Sequence, residues 1–288
     1  MQDLRRIVWL ASFPKSGNTW MRALLGNYLV AGAEPLDINS LNRFALGDTQ
    51  QKVYDHVAGR SFKARDFNDW LQLRGPVLRS IAASQPAHQF MKTHCRIDRV
   101  GQYDLIPPEL TAAAVYILRN PFDVVPSYAR HLSLDIDATI GMMTNKDAIS
   151  ATSTGILEVI GRWDDHLHSW LEAPRLVRHA LRYEDLIADT EKTVRGLLGF
   201  LQIPVRDGDL RRAIRASSFR NLQKQEQEKG FTERPQGMAQ FFASGRAGGW
   251  REALTPAQVA RIRTEFLPTL ERYYPELLNE TAEVAARA

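Results

Sequence analysis

Three short stretches carry side chains suited to holding and moving an anionic group: Lys15-Ser16-Gly17-Asn18-Thr19-Trp20, Lys92-Thr93-His94, and Arg119-Asn120-Pro121-Phe122-Asp123 with Ser127. The first lies between an apolar run, residues 7–13, which Pro14 stops, and an apolar-periodic segment that begins at Trp20. A strand–loop–helix unit of this kind points free backbone N–H groups and the positive end of a helix dipole into the loop. Lys15 adds a full charge, so the expected guest is an anion, most simply a phosphate. The stretch is not a Walker A loop, because Lys15 precedes the lone Gly17 and no glycine stands where that pattern needs one. An ordinary strand-to-helix turn that happens to hold a lysine is the plain alternative.

Lys92 and His94 are two residues apart, so in an extended strand they share a face. A cation beside an imidazole depresses its pKa and favours a neutral base at physiological pH. That pairing suits removal of a hydroxyl proton while the lysine steadies a departing anion. A capping or surface histidine at a strand end is the alternative. Cys95 would face the opposite way from His94, which argues against a Cys/His nucleophile. Arg119 follows the run Ala112-Ala113-Ala114-Val115-Tyr116-Ile117-Leu118, and Ser127 lies two turns into the next segment. Together they could clamp a second phosphate, unless Arg119 is engaged by Asp123.

These groups need elements to position them. Periodicity predicts strands over 7–13, 89–94, 112–118 and 176–182. It predicts helices over 20–29, 120–132, 161–171, 189–201, 208–216, 219–229 and 255–274, with short helices at 66–73 and 76–83. Asp189 is expected as a cap, and Pro126 should bend its helix. Residues 31–64 read as loops with a turn near 51–57, and 230–249 is glycine-rich. Residues 134–156 show no period and are expected to form a lid or mobile segment. Strands alternating with helices predict an α/β fold: a doubly wound, mostly parallel sheet flanked by helices, in one domain over 1–288. Ligands of such sheets bind outside the carboxyl ends of the strands. Lys15, Lys92 with His94, and Arg119 each fall at the carboxyl end of a different predicted strand, so the three stretches should meet in one crevice.

Composition narrows the classes. A hydrophobic content of 44% with 24% charged residues supports a sizeable core. A net charge of +4 suits an anionic ligand without arguing for nucleic acid. With Cys95 as the one cysteine, no intrachain disulfide can form. Arg5-Arg6 before an apolar run imitates an export signal, but the run is short and no small-residue cleavage site follows. No segment approaches the roughly 18–20 apolar residues of a membrane span. A cytoplasmic protein with no membrane partner is expected, and no His/Cys/carboxylate cluster has metal-ligand spacing. The oligomeric state stays open.

The three motifs, in this order and spacing, resemble the cytosolic-type sulfotransferases that use 3′-phosphoadenylyl sulfate (PAPS), with similarity from the N-terminus to about Trp250. The resemblance implies that Lys15, Ser16, Gly17, Asn18 and Thr19 cradle the 5′-phosphosulfate and that Trp20 stacks on adenine. It implies Arg119 and Ser127 at the 3′-phosphate, Tyr183 (before Glu184-Asp185) at adenine, and the triplet Ser217-Ser218-Phe219 completing the base site. It makes His94 the catalytic base, with Lys92 on the transferring sulfonyl group and Lys15 assisting, and requires no metal. The C-terminal signature Phe-x-Arg-Lys-Gly-x-x-Gly-x-Trp appears here as Phe241-Phe242-Ala243-Ser244-Gly245-Arg246-Ala247-Gly248-Gly249-Trp250. Both basic residues that normally reach the 3′-phosphate are absent, and Ser244 and Arg246 are the expected substitutes beside Gly245. A dimer motif of animal relatives is replaced here by Arg251, Thr255, Pro256 and Ala260, and that dimer is not expected.

The reaction so implied is in-line transfer of a sulfuryl group to a small-molecule hydroxyl. Residues 31–64, 134–156 and 226–238 are the expected walls of the acceptor site. Their Phe44, Tyr54, Phe62, Met142, Met143 and Phe231 suit an apolar or aromatic alcohol, or merely pack the loops down. The Lys-Thr-His context and the 161–171 helix are similar to bacterial enzymes that sulfate glycopeptides and other natural products, which implies a bacterial member. Two rivals remain at this level. A P-loop-like nucleotide kinase lacks its Walker Lys-Ser/Thr pair here, and a non-catalytic nucleotide-binding relative would not need Lys92 and His94.

Overall fold

The apolar run that opens the chain is buried at every residue, and as β1 (Ile7–Ser12) it forms the middle strand of a five-stranded sheet. The computed structural model describes residues 6–30, 32, 34–84, 87–152 and 155–288. Arg5 and residues 153–154 of the expected lid lie outside the described residues. After β1 come α1 (Asn18–Leu29), β2 (Ala45–Gly47), α2 (Gln51–Ala58), α3 (Phe67–Ala83) and β3 (Gln89–Thr93). A short ladder of β4 (Arg99–Val100) with β5 (Tyr103–Asp104) leads to β6 (Thr111–Leu118), α4 (Pro121–Leu132) and α5 (Ile136–Met143). The hairpin of β7 (Ile149–Ala151) and β8 (Leu157–Val159) precedes α6 (Trp163–Leu171), β9 (Arg178–Arg182) and α7 (Tyr183–Ala188). The remainder is helical: α8 (Thr190–Phe200), α9 (Asp207–Ala216), α10 (Phe219–Lys229), α11 (Trp250–Ala253), α12 (Pro256–Tyr273) and α13 (Leu278–Ala285).

The sheet runs β2-β3-β1-β6-β9, and every pairing is parallel. Its two faces follow the strand period of two. Ile7, Trp9 and Ala11 with Ala114, Tyr116 and Leu118 face a core built with α3, α4, α6 and α12. Leu10, Val115, Ile117 and Leu181 face a second core with α1, α8 and α9. Burial on both faces is what a parallel sheet under helical layers requires. The register pairs Ala11 with Thr93 and Ser12 with Ile117. The central three strands therefore end at one level, and the loops that follow them are neighbours.

Several elements differ from what periodicity predicts. Residues 66–83 form one helix rather than two, with Pro76 inside it and Asp66 capping Asp69 N. Proline forfeits one ladder bond at this point. Trp70, Arg74, Val77, Leu78 and Ile81 nevertheless recur on one buried face, and Arg74 is fastened to Asp48 (2.8 Å) and to the Leu105 carbonyl (2.9 Å). Tertiary packing outweighs the local break. The 134–156 stretch, expected as a lid without regular structure, holds α5 and most of a hairpin. The short strand β2 and helices α7 and α13 have no counterpart among the predicted elements. α4 starts as predicted, with Pro121 in its first turn and Asn120 accepting from Asp123 N, and it continues through Pro126.

Candidate active site

The loop after β1 is shaped by two left-handed residues, Lys15 (φ 67°) and Gly17 (φ 103°). Glycine is required at 17 for a second reason. A Cβ there would meet Tyr183 Cδ2 at 2.6 Å. Asn18 turns its side chain inward, donating to the Leu10 carbonyl at 2.9 Å, which ties the start of α1 to β1. Its backbone N–H, with those of its neighbours, opens the helix without a side-chain cap. Ser16 Oγ is buried without a partner among the described residues, and Ser16 does not reach the cavity that its neighbours Lys15 and Gly17 line. Gly17→Ala should destabilise the protein by about 1–3 kcal/mol through the positive φ and the Tyr183 collision. It should also weaken nucleotide binding, and a variant with wild-type melting temperature and affinity would refute this account of the loop.

Lys15 lies under Phe241, with Nζ 3.9 Å from the ring centroid and 3.5 Å from His131 Nδ1. Enclosure lowers its pKa to about 7, and the charges of Arg119 and Arg130 push the same way. His131 is itself held down to about 4 by desolvation and by Lys15. The loop is thus a site of concentrated, uncompensated positive charge, and the carboxylate nearest in effect, Glu226, accepts from Phe241 N (2.7 Å) and Phe242 N (2.9 Å).

His94 follows β3 and sits on the Ser12 carbonyl, Nδ1 to O 2.7 Å. A carbonyl only accepts, so Nδ1 carries the proton in the neutral ring and Nε2 keeps its lone pair for the cavity that His94 lines. Burial, then the Lys92 charge, hold the imidazole pKa well below its usual value. The expected neutral base is therefore built in. Lys92 reaches the same cavity but is paired with Glu158 of β8 at 2.8 Å, both largely buried. Cys95 is fully buried, its thiol pushed up to about 12 by desolvation, and it takes no part in a nucleophilic pair.

Sequence reasoning missed what holds His94 in place. His166 of α6 donates from Nε2 to the His94 carbonyl (3.1 Å) and accepts at Nδ1 from Tyr116 Oη (2.8 Å). Trp170 donates to the Cys95 carbonyl (3.0 Å), and Ser169 accepts from Ile97 N (3.1 Å). One face of α6 thus clamps the segment after β3. The i, i+3, i+4 spacing of these residues is visible in the sequence, but their partners are not.

Arg119, at the end of β6, donates to the Lys15 carbonyl (2.9 Å) and stacks over Tyr183 (4.4 Å), while its Nε stays buried without a partner. The alternative pairing with Asp123 does not occur. Asp123 instead accepts from Gly248 N (2.7 Å) and Trp250 N (3.0 Å), anchoring the C-terminal loop. Glu184 accepts from Asn120 N (3.0 Å), which locks the start of α7 to α4 and sets Tyr183 against the loop. Trp20 meets Tyr183 edge-on at 5.8 Å. These rings, with Phe219, Thr19 and Ser127, line one cavity of about 470 Å³ together with Lys15, Gly17, Asn18, Lys92, His94 and Arg119.

Three expected donor-site residues are directed elsewhere. Ser217 is fully buried; its hydroxyl accepts from Asn27 (3.1 Å) and its carbonyl from Trp20 Nε1 (2.9 Å), so it braces the tryptophan from behind. Ser218 caps α10. Ser244 and Gly245 do line the cavity, but the Arg246 guanidinium points outward to Glu252 (3.1 Å), and only its carbonyl faces Arg119 (3.3 Å). The expectation that Arg246 restores the missing charge is therefore corrected.

The acceptor walls also need correction at residue level. Tyr54 and Phe62 stack in the core, Phe44 packs on Phe90, Met142 and Met143 pack into the sheet's larger core, and Phe231 packs on Phe241 and Phe242. None lines the cavity. The same chain segments contribute Asn42, Thr49, Gln50, Ser150, Glu233 and Met238 instead. Arg22 of α1, buried beneath them, holds Glu233 at 2.9 Å and Asn42 at 3.0 Å. The cavity thus gathers aromatic rings with cations, a cationic loop with a neutral imidazole, and a set of polar groups. Those groups fit a purine nucleotide, a transferable anionic group and a hydroxyl to be deprotonated.

A family model described as the sulfotransferase domain matches residues 5–273. Cytosolic sulfotransferase 15 of Arabidopsis thaliana is 26% identical over 269 residues, covering 91% of this chain and 71% of that protein. The flavonol 3-sulfotransferase of Flaveria bidentis is 24% identical over 268 residues, covering 88% and 78%. Among solved structures, retinol dehydratase in complex with androsterone and inactive cofactor PAP superposes with a TM-score of 0.62 at 20% identity, covering 92% of this chain and 81% of that one. A mouse sulfotransferase complexed with PAP gives 0.59 at 17% identity, covering 98% and 90%. The structural likenesses establish a shared fold, and the match across nearly the whole chain establishes the family: this chain belongs to the sulfotransferases, enzymes that carry a sulfuryl group to an acceptor.

Proposed function

We propose that the chain transfers the sulfuryl group of PAPS to a hydroxyl of a small molecule, with His94 as general base. The donor would lie with its adenine among Trp20, Tyr183 and Phe219, its 3′-phosphate towards Arg119 and Ser127, and its 5′-phosphosulfate on the loop of Lys15 to Thr19. His94 Nε2 takes the acceptor's hydroxyl proton as that oxygen bonds to sulfur. The bond from sulfur to the bridging oxygen breaks, and its electron pair leaves with the 5′-phosphate. Lys15, Lys92 and the loop N–H groups offset the charge on the sulfonyl and leaving oxygens, as expected where catalysis is mainly positioning and electrostatics. The products are a sulfate ester and adenosine 3′,5′-bisphosphate. The buried, unpartnered Nε of Arg119, which lines the cavity, supports an anionic occupant beside this loop.

The observation that carries the reading is the His94–Ser12 hydrogen bond, which fixes the tautomer of a neutral base in the same cavity as the cationic loop. The polar lining by Thr49, Gln50, Ser150, Glu158 and Glu233 supports an acceptor with hydrogen-bonding groups around its reactive hydroxyl, rather than a purely apolar alcohol. Relatives named cytosolic support action in the cytoplasm. Incubation with PAPS and a panel of phenols, aliphatic alcohols and polyhydroxylated amides should give a product heavier by one sulfuryl group, seen by mass spectrometry, with polar acceptors favoured. Absence of bisphosphate release with every acceptor would leave a binding protein, and transfer from ATP with magnesium would leave a kinase.

A further inference from the structure

The donor end of the cleft lacks the two basic residues that the C-terminal signature normally supplies. Ala243 and Ser244 stand there instead, and both line the cavity. The next arginine in the chain, Arg246, is committed to Glu252, with its side chain 55% exposed and outside the cavity. Beyond Lys15, Lys92 and Arg119, two arginines line this cavity: Arg22, which Glu233 holds at 2.9 Å, and Arg130. Arg130 belongs to the last turn of α4, three residues beyond Ser127, and that spacing sets the two on one face of the helix.

Among the described residues no carboxylate pairs with Arg130, whereas Arg22, which lines the same cavity, is engaged by Glu233, and Arg234 by Glu226. The charges it feels are like charges. Partial burial, and then the charge of Arg119, disfavour its protonated form, and it in turn disfavours that of Lys15. Lys15, Arg119 and Arg130 therefore form a cationic cluster around one cavity wall. The carboxylate closest in effect, Glu226, is already occupied by two backbone N–H groups and Arg234. Such a cluster is costly in the free protein and is relieved by a polyanion.

We propose that Arg130 replaces the missing C-terminal basic pair and contacts the donor's 3′-phosphate from α4, alongside Ser127 and Arg119. This rests on the proposed placement of the donor in the cleft. An arginine at the mouth of the cleft can reach the phosphate by a charge-assisted, bidentate contact without the cost of deep burial.

The test compares adenosine 3′,5′-bisphosphate with adenosine 5′-phosphate, which lacks only the 3′-phosphate, by titration calorimetry on wild type, Arg130→Gln, Arg130→Lys and Arg246→Gln. Arg130→Gln should lose roughly ten- to a hundred-fold in affinity for the bisphosphate, the scale of a charged hydrogen bond, and almost nothing for the 5′-phosphate. Arg130→Lys should recover part of the loss, and Arg246→Gln should change neither nucleotide. Equal losses for both nucleotides with Arg130→Gln, no loss for either, or a selective loss with Arg246→Gln would overturn the assignment while leaving the donor site standing. A wild-type protein that does not prefer the bisphosphate would overturn the donor reading together with this one.

Discussion

Replacing His94 by alanine is expected to lower kcat by roughly 10²–10⁴, about 3–5.5 kcal/mol of barrier, while leaving affinity for adenosine 3′,5′-bisphosphate unchanged. The separation follows from geometry. His94 meets the protein through Nδ1 on the Ser12 carbonyl, so its loss removes a proton acceptor without dismantling the loop of Lys15 to Thr19. His94→Asn sharpens the test, because its amide can still donate to Ser12 but cannot accept a proton at neutral pH. It should be as inactive as alanine. With the imidazole pKa held well below its ordinary value by burial and by Lys92, the base is already neutral. At saturating donor, kcat should therefore show no fall from imidazole protonation between pH 8 and 6. Near-normal turnover in either variant, or a loss of bisphosphate affinity as large as the loss in kcat, would remove His94 from the role of base.

Features of this fold that local chemistry dictates are legible in the sequence. Pro14 ending an apolar run, Gly17 in the turn, and Asn120-Pro121 opening a helix each specify backbone conformation on their own, and the strand ends bearing Lys15, His94 and Arg119 fall where periodicity puts them. Features that depend on partners distant in sequence are not legible in this way. The three-residue strands β2, β7 and β8 are too short to show a period, yet β8 carries Glu158, which pairs with Lys92 across 66 residues. The break expected at Gly75-Pro76 is overridden by a buried ion pair between Arg74 and Asp48. Phe44, Tyr54 and Phe62 are apolar in loops, and nothing local distinguishes an aromatic side chain facing a ligand from one facing the core. The same limit applies to Arg246: its charge is plain in the sequence, but Glu252, which turns it away from the site, acts only through the fold of the C-terminal loop.

Lys15→Met is expected to move affinity and stability in opposite directions. Truncating one partner of an enclosed charge pair costs about 2 kcal/mol or more, so bisphosphate affinity should fall at least roughly thirty-fold. The nucleotide-free protein should gain stability, because the wild type holds this ammonium enclosed and beside Arg119 and Arg130, with a pKa lowered from 10.5 to about 7. The sign follows from linkage. Below pH 7 the lysine is protonated in both folded and unfolded states, and the folded state bears the full penalty. Between about 7 and 10.5 the unfolded chain binds more protons, so wild-type stability rises with pH and the advantage of the methionine variant shrinks. A melting-temperature difference of a few degrees at pH 6 should thus diminish by pH 9. The same depressed pKa couples ligand binding to protons. An anion on the loop draws the pKa back up, so binding at pH 8 should take up close to one proton, and binding at pH 6 almost none. Calorimetry in buffers of different ionisation enthalpy measures that number directly, and Lys15→Met should abolish it. For the same reason kcat/KM for the donor should decline above about pH 7, since it reports the free enzyme, while kcat at saturation holds to higher pH. Unaltered affinity in Lys15→Met, or proton uptake that survives the substitution, would show that the loop's charge is not what receives the donor.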